Sequence, residues 1–185
     1  LSFNDALTAS GLSLIAAALV AATPQLRELR LVGTAQLPNT SVLPIASALT
    51  RAKALSSVDL FGARIGPTGA GLLCDAINVV AATCLIVSLG LRGNQIGVAG
   101  AAHIAKLLHN KALRLRSLNL AANALKADGL RSLAAALVDG VPLDTLDLSG
   151  NELGEAGASQ LVPVLRSGPL QRLSLALNNI GANRA

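Results

Sequence analysis

Six times along this chain, aliphatic residues recur at spacings of three and two, then an asparagine-type position follows three residues on, then another aliphatic residue two beyond that. The clearest copy is LRSLNLAANAL, with Leu115, Leu118, Leu120, Asn123 and Leu125 in register. The same spacing holds at Leu143, Leu146, Leu148, Asn151 and Leu153, at Leu170, Leu173, Leu175, Asn178 and Ile180, and at Ile86, Leu89, Leu91, Asn94 and Ile96. Two weaker copies precede them: Leu55, Val58, Leu60, Ala63, Ile65, and Leu26, Leu29, Leu31, Thr34, Leu37. The copies recur every 27 to 31 residues. A unit of this size cannot bury its apolar face alone, so the pattern calls for units that stack on their neighbours.

The internal spacing says how each unit is built. Leu118 and Leu120 are two apart, the period at which strand side chains share a face. Asn123 falls where the chain must turn, and its amide can both donate and accept there. Bare backbone groups at a buried bend cost about 1–3 kcal/mol each, which gives the asparagine its job. Past it, each unit runs through a glycine-bearing turn (Gly66 to Gly69, Gly97 to Gly100, Gly154 to Gly157) into an apolar helix. Ile104 with Leu107 and Leu108, and Leu133 with Leu137, share helix faces. Asp128 stands where a helix N-terminus favours an acid. Pro163 is expected to shorten or kink its helix, and Pro24, Pro142 and Pro169 punctuate the returns to the strands. Recurrence once per unit marks the GxxG segments as structural turns, not RNA-clamping loops.

Residues Leu1 to Pro24 read as the tail of an earlier unit. Asn4 or Asp5 takes the turn position there, and LSLIAAAL mirrors LRSLAAAL at Leu130–Leu137. No charge occurs from Ala6 to Leu26, but Gly11, Ser13, Pro24 and Gln25 interrupt the run, which argues against membrane insertion. The chain starts at Leu1 and ends at Ala185 with no polar capping unit at either end. The expectation is therefore one repeat domain over 1–185, six units plus a partial N-terminal one, forming a segment of a longer chain.

Composition narrows the partners. Hydrophobic residues make up 52% of the chain, with a mean hydropathy of +0.57, as a continuous core through every unit requires. Fifteen basic against ten acidic residues give +5 and a pI near 10.0. The charges are scattered and no tyrosine or tryptophan is present to stack on bases, so a nucleic-acid partner is not expected. Cys74 and Cys84 form no disulfide framework and fit free thiols in a reducing compartment. His103 and His109, six apart, lie on different helix faces and make no i, i+4 metal site. No G-x-x-x-x-G-K-S/T is present. No cofactor, metal or small-molecule substrate is expected.

On these residues the chain resembles the ribonuclease-inhibitor-like class of leucine-rich repeats, along its whole length. The long period and full helix match that class, not the shorter secreted types with G-x-I-P. The resemblance implies an α/β solenoid: a horseshoe with a parallel sheet on the concave face and helices on the convex face. It also implies an intracellular binding protein, as in ribonuclease inhibitors, NOD-like-receptor sensor domains, and cytoskeletal or ciliary scaffolds. Ran GTPase-activating proteins belong to the same class, and a GTPase-activating role would look to Arg64 or Arg92. Ala63 and Thr34 depart from the asparagine, so a gap in the asparagine ladder of Asn94, Asn123, Asn151 and Asn178 is expected there.

In such a horseshoe, the residues flanking the inward leucines face the concave solvent in three columns. They are Glu28, Ser57, Ser88, Ser117, Thr145, Arg172, then Arg30, Asp59, Gly90, Asn119, Asp147, Ser174, and then Val32, Phe61, Arg92, Ala121, Ser149, Ala176. Strands about 4.8 Å apart let Arg30 reach Asp59 and let Arg92 cover the Phe61 ring. Phe61 is the anchor expected for a partner protein, with Arg30, Asp59, Arg92, Asn119, Asp147 and Arg172 around it. Asp59 and Asp147 are three strands apart, roughly 14–15 Å, beyond the roughly 5–9.5 Å of glycosidase carboxylate pairs. Lys111, Arg114 and Arg116 form a basic cluster on the loop before a strand, open to an acidic partner but read as a solvated loop. The expected function is a protein–protein interaction module without enzymatic activity.

Overall fold

A computed structural model of the chain describes residues 9–22, 25–33, 42–52 and 54–181. Strand and helix alternate throughout: α1 (Ala9–Ala22), β1 (Glu28–Arg30), α2 (Val42–Leu49), β2 (Ser57–Asp59), α3 (Gly66–Val80), β3 (Ser88–Gly90), α4 (Gly97–Leu108), β4 (Ser117–Asn119), α5 (Lys126–Asp139), β5 (Thr145–Asp147), α6 (Gly154–Ser167) and β6 (Arg172–Ser174). The six strands form one parallel sheet in sequence order. Their register is uniform: Leu29, Val58, Leu89, Leu118, Leu146 and Leu173 lie side by side. A helix is about 10–12 Å across and a strand occupies about 4.8 Å. Stacking the two side by side therefore curves the solenoid, sheet inside and helices outside.

Each strand is three residues long because the pattern supplies little more. Leu118 and Leu120 point inward and are fully buried, while Ser117 and Asn119 point the other way. Leu130, Leu133 and Leu137 of α5 close over them, and Ile104, Leu107 and Leu108 do the same from α4. One continuous core runs from Leu29 to Val164 through every unit.

The asparagines join unit to unit. The Asn123 Nδ2 donates to Leu91 O at 2.8 Å in the preceding unit and to Leu120 O at 3.0 Å in its own. Its Oδ1 accepts the N–H groups of Asn94 at 2.9 Å and Ile96 at 3.3 Å. Asn151 repeats this toward Asn123 and Leu125, and Asn178 toward Asn151 and Leu153. Asn94 extends the ladder to Leu60 O and Ile65 N–H. There it meets Ala63, which has no amide to pass the pattern on to Leu31; the expected gap is present. The Thr34 position, and those of Asn4 and Asp5, lie outside the described residues.

Two expectations are corrected. The GxxG segments are not turns ahead of the helices but their first turns: α3, α4 and α6 begin at Gly66, Gly97 and Gly154, each with φ near +60°. In the unit without that glycine, Lys126 takes the left-handed position at φ 57°. The second glycine is a packing residue. A Cβ at Gly100 would lie 2.3 Å from Ile96 Cγ2 and 3.3 Å from Pro67 Cα in the neighbouring helix. Pro163, in turn, does not shorten α6, which runs on to Ser167. The proline sits on the exposed side, where the missing N–H costs α6 a backbone bond without ending it.

Candidate functional site

The sheet register assembles the three columns on the concave face. In the first two, every residue is half-buried or exposed. The third departs from expectation: Val32 and Ala121 are 7% and 4% exposed. Ala121 carries a single carbon between the longer Arg92 and Ser149, and Val32 lies one strand over from Phe61. Phe61, Arg92, Ser149 and Ala176 remain accessible.

On β1–β3 the face is charged and aromatic. Arg30 Nε lies 3.5 Å from Asp59 Oδ2 and 3.9 Å from Glu28 Oε1. With Arg30 59% exposed, such pairing contributes under about 1 kcal/mol and mainly fixes geometry. The Asp59 Oδ1 accepts the Phe61 N–H at 3.3 Å. It also lies over Gly90, where a Cβ would come within 2.7 Å of it. The Arg92 guanidinium rests 5.4 Å from the Phe61 ring centroid. A Cβ at Gly93 would touch Phe61 Cε2 at 3.2 Å, so the ring lies against the next loop's backbone. Phe61 is thus braced by the backbone and the cation of the following unit.

On β4–β6 the face is polar. Asn119 Oδ1 accepts the Ala121 N–H and Asp147 Oδ1 the Ser149 N–H, both at 3.0 Å. With Asp59, this makes one device repeated in three units: a side-chain oxygen tied to the N–H two residues on, which holds the column upright along its strand. Ser149 Oγ and Ser174 Oγ are 2.7 Å apart, and Arg172 Nε donates to Thr145 Oγ1 at 3.2 Å. An open depression of about 640 Å³ lies here, lined by Ser117, Thr145, Asp147, Gln171, Arg172 and Ser174 above Leu146 and Leu173. The column reading contained all its polar lining except Gln171, which precedes β6. The i to i+2 hydrogen bond was the missed signal: Asp or Asn in the second column occurs in three units.

The remaining candidates scatter. Arg64 is exposed in the loop after β2, at φ 50°. The His103 ring lies over Gly71 of α3, and His109 Nδ1 is 2.9 Å from Ala105 O at the end of α4. Cys74 and Cys84 are buried free thiols, and burial, with the Asp75 charge behind it, pushes the Cys74 thiol up to about 12. Among the described residues, no three His, Cys, Asp or Glu converge as a metal site, and no helix is long and apolar enough to cross a membrane.

Comparison with known proteins agrees with this architecture. A family model described as Leucine Rich repeat matches residues 115–134 and 142–162. NACHT, LRR and PYD domains-containing protein 5 of Bos taurus is 30% identical over 162 residues, 86% of this chain and 14% of the relative. The chain belongs to the leucine-rich-repeat proteins of the ribonuclease-inhibitor-like class. The Mus musculus NACHT, LRR and PYD domains-containing protein 12 is 30% identical over 97% of this chain and 17% of its own length. Ribonuclease inhibitor of Sus scrofa is 34% identical over 54% of this chain and 22% of its own. A solved structure titled Leiomodin-1 Actin-Binding Site 2 (ABS2) superposes with a TM-score of 0.52 at 16% identity, covering 86% of this chain and 76% of its own. That likeness concerns the leucine-rich-repeat fold. The chain spans less than a quarter of the length of the curated relatives it matches.

Proposed function

We propose that this leucine-rich-repeat segment is a protein-interaction module that docks a partner on its concave face, as a scaffold within a larger intracellular assembly. The observation that carries this reading is Phe61. It is the one aromatic among the described residues, it stands on the concave face, and it is held in place by Gly93 and Arg92. A braced aromatic loses little freedom on binding, which suits an anchor. Arg30 and Asp59 on one side, and Asn119, Asp147 and Arg172 on the other, give the polar surround that selects a partner. Arg92 resting on Phe61 favours an anchoring role for it over that of a GTPase-activating arginine. The module carries out no reaction of its own in this reading.

The relatives support the context. Ribonuclease inhibitor is named for the protein it inhibits, and the leiomodin-1 structure for an actin-binding site. The identity to the NACHT, LRR and PYD domains-containing proteins favours a repeat segment of a multidomain chain, and a cytoskeletal setting is the second reading. Buried unpaired thiols suit the reducing interior of a cell.

Site-specific photo-crosslinkers test this. Placed at positions 61 and 119, they are expected to capture a partner protein in cell extract, whereas one at Lys106 on the convex side captures none. Adducts confined to the chain itself, or formed equally well from position 106, would contradict the proposal.

A further inference from the structure

Three large apolar side chains are exposed on a single coil, at the edge where helices hand the chain to strands. Val79 is 81% exposed at the end of α3, and Leu85 and Val87 are 42% and 40% exposed on the connector to β3. The fold does not need them there. Counted from the asparagine position, Val79 corresponds to Asn110 and Asp139. Leu85 and Val87 flank Ile86; the equivalent pairs are Gln25 and Arg27, Ala54 and Ser56, Arg114 and Arg116, Pro142 and Asp144, Pro169 and Gln171. Among the described coils, only this one carries a large aliphatic side chain at all three positions; the other apolar residues at these positions are Ala54, Pro142 and Pro169.

Its neighbours are cationic. Arg116 N–H donates to Val87 O at 2.8 Å, so Arg114 and Arg116 lie alongside Leu85 and Val87. Asn110 Nδ2 donates to Asn78 Oδ1 at 3.0 Å, which brings the Lys111 loop against the end of α3. On the other flank, Val87 N–H donates to Ser56 O and Ser56 N–H to Arg27 O, leading to Arg27. Among the described helix-to-strand connectors, Arg27, Arg51, Lys111, Arg114 and Arg116 face a single acid, Asp144. In the strand-to-helix loops on the opposite edge, Arg64 and Arg92 face Glu152. The positive charge is concentrated on the edge that carries the apolar patch.

We propose that this edge is a second docking surface, distinct from the concave face, for a partner protein segment that carries aliphatic side chains among acidic ones. An apolar centre with a charged rim is the anatomy of a protein interface, and the cations steer and orient an acidic partner. Leu85 and Val87 are more than half covered and only Val79 stands clear, too little apolar surface to insert beneath lipid headgroups. The edge carries no phenylalanine, tyrosine or tryptophan to stack bases, and His109 alone makes no stacking platform.

The test is fluorescence anisotropy with a short labelled peptide of leucines interspersed with glutamates. The comparison probes are its lysine counterpart, its leucine-to-serine counterpart, phosphatidylserine-containing vesicles and a polyribonucleotide. The leucine–glutamate peptide is expected to bind best. Leu85→Ser, Val87→Ser and Arg114→Gln each weaken it by roughly tenfold, while the charge-matched Arg131→Gln on α5 leaves it unchanged. Arg114→Gln alters an exposed side chain and keeps the test sound should an apolar variant unfold. Equal weakening by Arg131→Gln, indifference to the leucines, or preference for vesicles or polyribonucleotide would overturn the proposal.

Discussion

Asn123 shows how much one side chain carries. Its amide serves three carbonyls and two N–H groups in two successive coils, with 1% of its surface exposed. Asn123→Ala orphans all of them, and at about 1–3 kcal/mol for each buried group left bare the loss is expected to reach about 3 kcal/mol or more in urea unfolding. Asn119→Ala removes one partly buried acceptor for Ala121 N–H and is expected to cost no more than about 1 kcal/mol. The reverse change should help where the ladder stops. Ala63→Asn offers Leu31 O the amide that Asn94 offers Leu60 O, and is expected to raise stability by about 1 kcal/mol. A loss on Ala63→Asn would show that this bend is closed by other means. The asparagines were legible in the sequence because a polar residue held at one fixed spacing among leucines must serve a buried bend in every unit. That Val32 and Ala121 are covered was not legible, since it depends on the heights of side chains on adjacent strands.

Helices in this protein sit close because glycine lets them. Gly100 faces Pro67 Cα on α3, and a methyl group there would collide with Ile96 Cγ2 at 2.3 Å. Gly100→Ala is expected to lower the urea midpoint by the equivalent of about 1–3 kcal/mol, the usual cost of overpacking; an unchanged midpoint would mean that α3 and α4 part freely. In the sequence, GxxG looked like a turn because glycine signals both bends and close packing, and only the neighbouring helix decides between them. On α3, Cys74 adds a pH dependence. Its thiol is held up at about 12 against 9.0, so the folded form keeps a proton that the unfolded form releases. That contribution is complete below pH 9 and lost as pH rises toward 12, by about 1.4 kcal/mol per unit. With no tyrosine in the chain to titrate alongside it, Cys74→Ala is expected to flatten the fall in stability above pH 9. An equally steep fall in Cys74→Ala would place the alkaline sensitivity elsewhere.

Across the whole molecule, each coil leans only on the coils beside it, and the asparagine ladder makes the five coils of β2 to β6 act as one surface. Period, strand order and the concave columns follow from spacing alone, because a uniform register carries each position straight onto the next strand. The apolar patch of Val79, Leu85 and Val87 breaks no spacing rule; equivalent positions can be counted in the sequence, but that these three side chains are exposed is given only by the fold. Both docking surfaces depend on the rigidity of that stack. Native-state hydrogen exchange resolved by residue tests this most directly. The N–H groups of Asn94, Ile96, Asn123, Leu125, Asn151 and Leu153, all bonded to the next asparagine, should be among the slowest to exchange, and Asn123→Ala should release those of Asn94 and Ile96 first. Exchange there as fast as in the helix-to-strand connectors would contradict the ladder, and with it the fixed concave face.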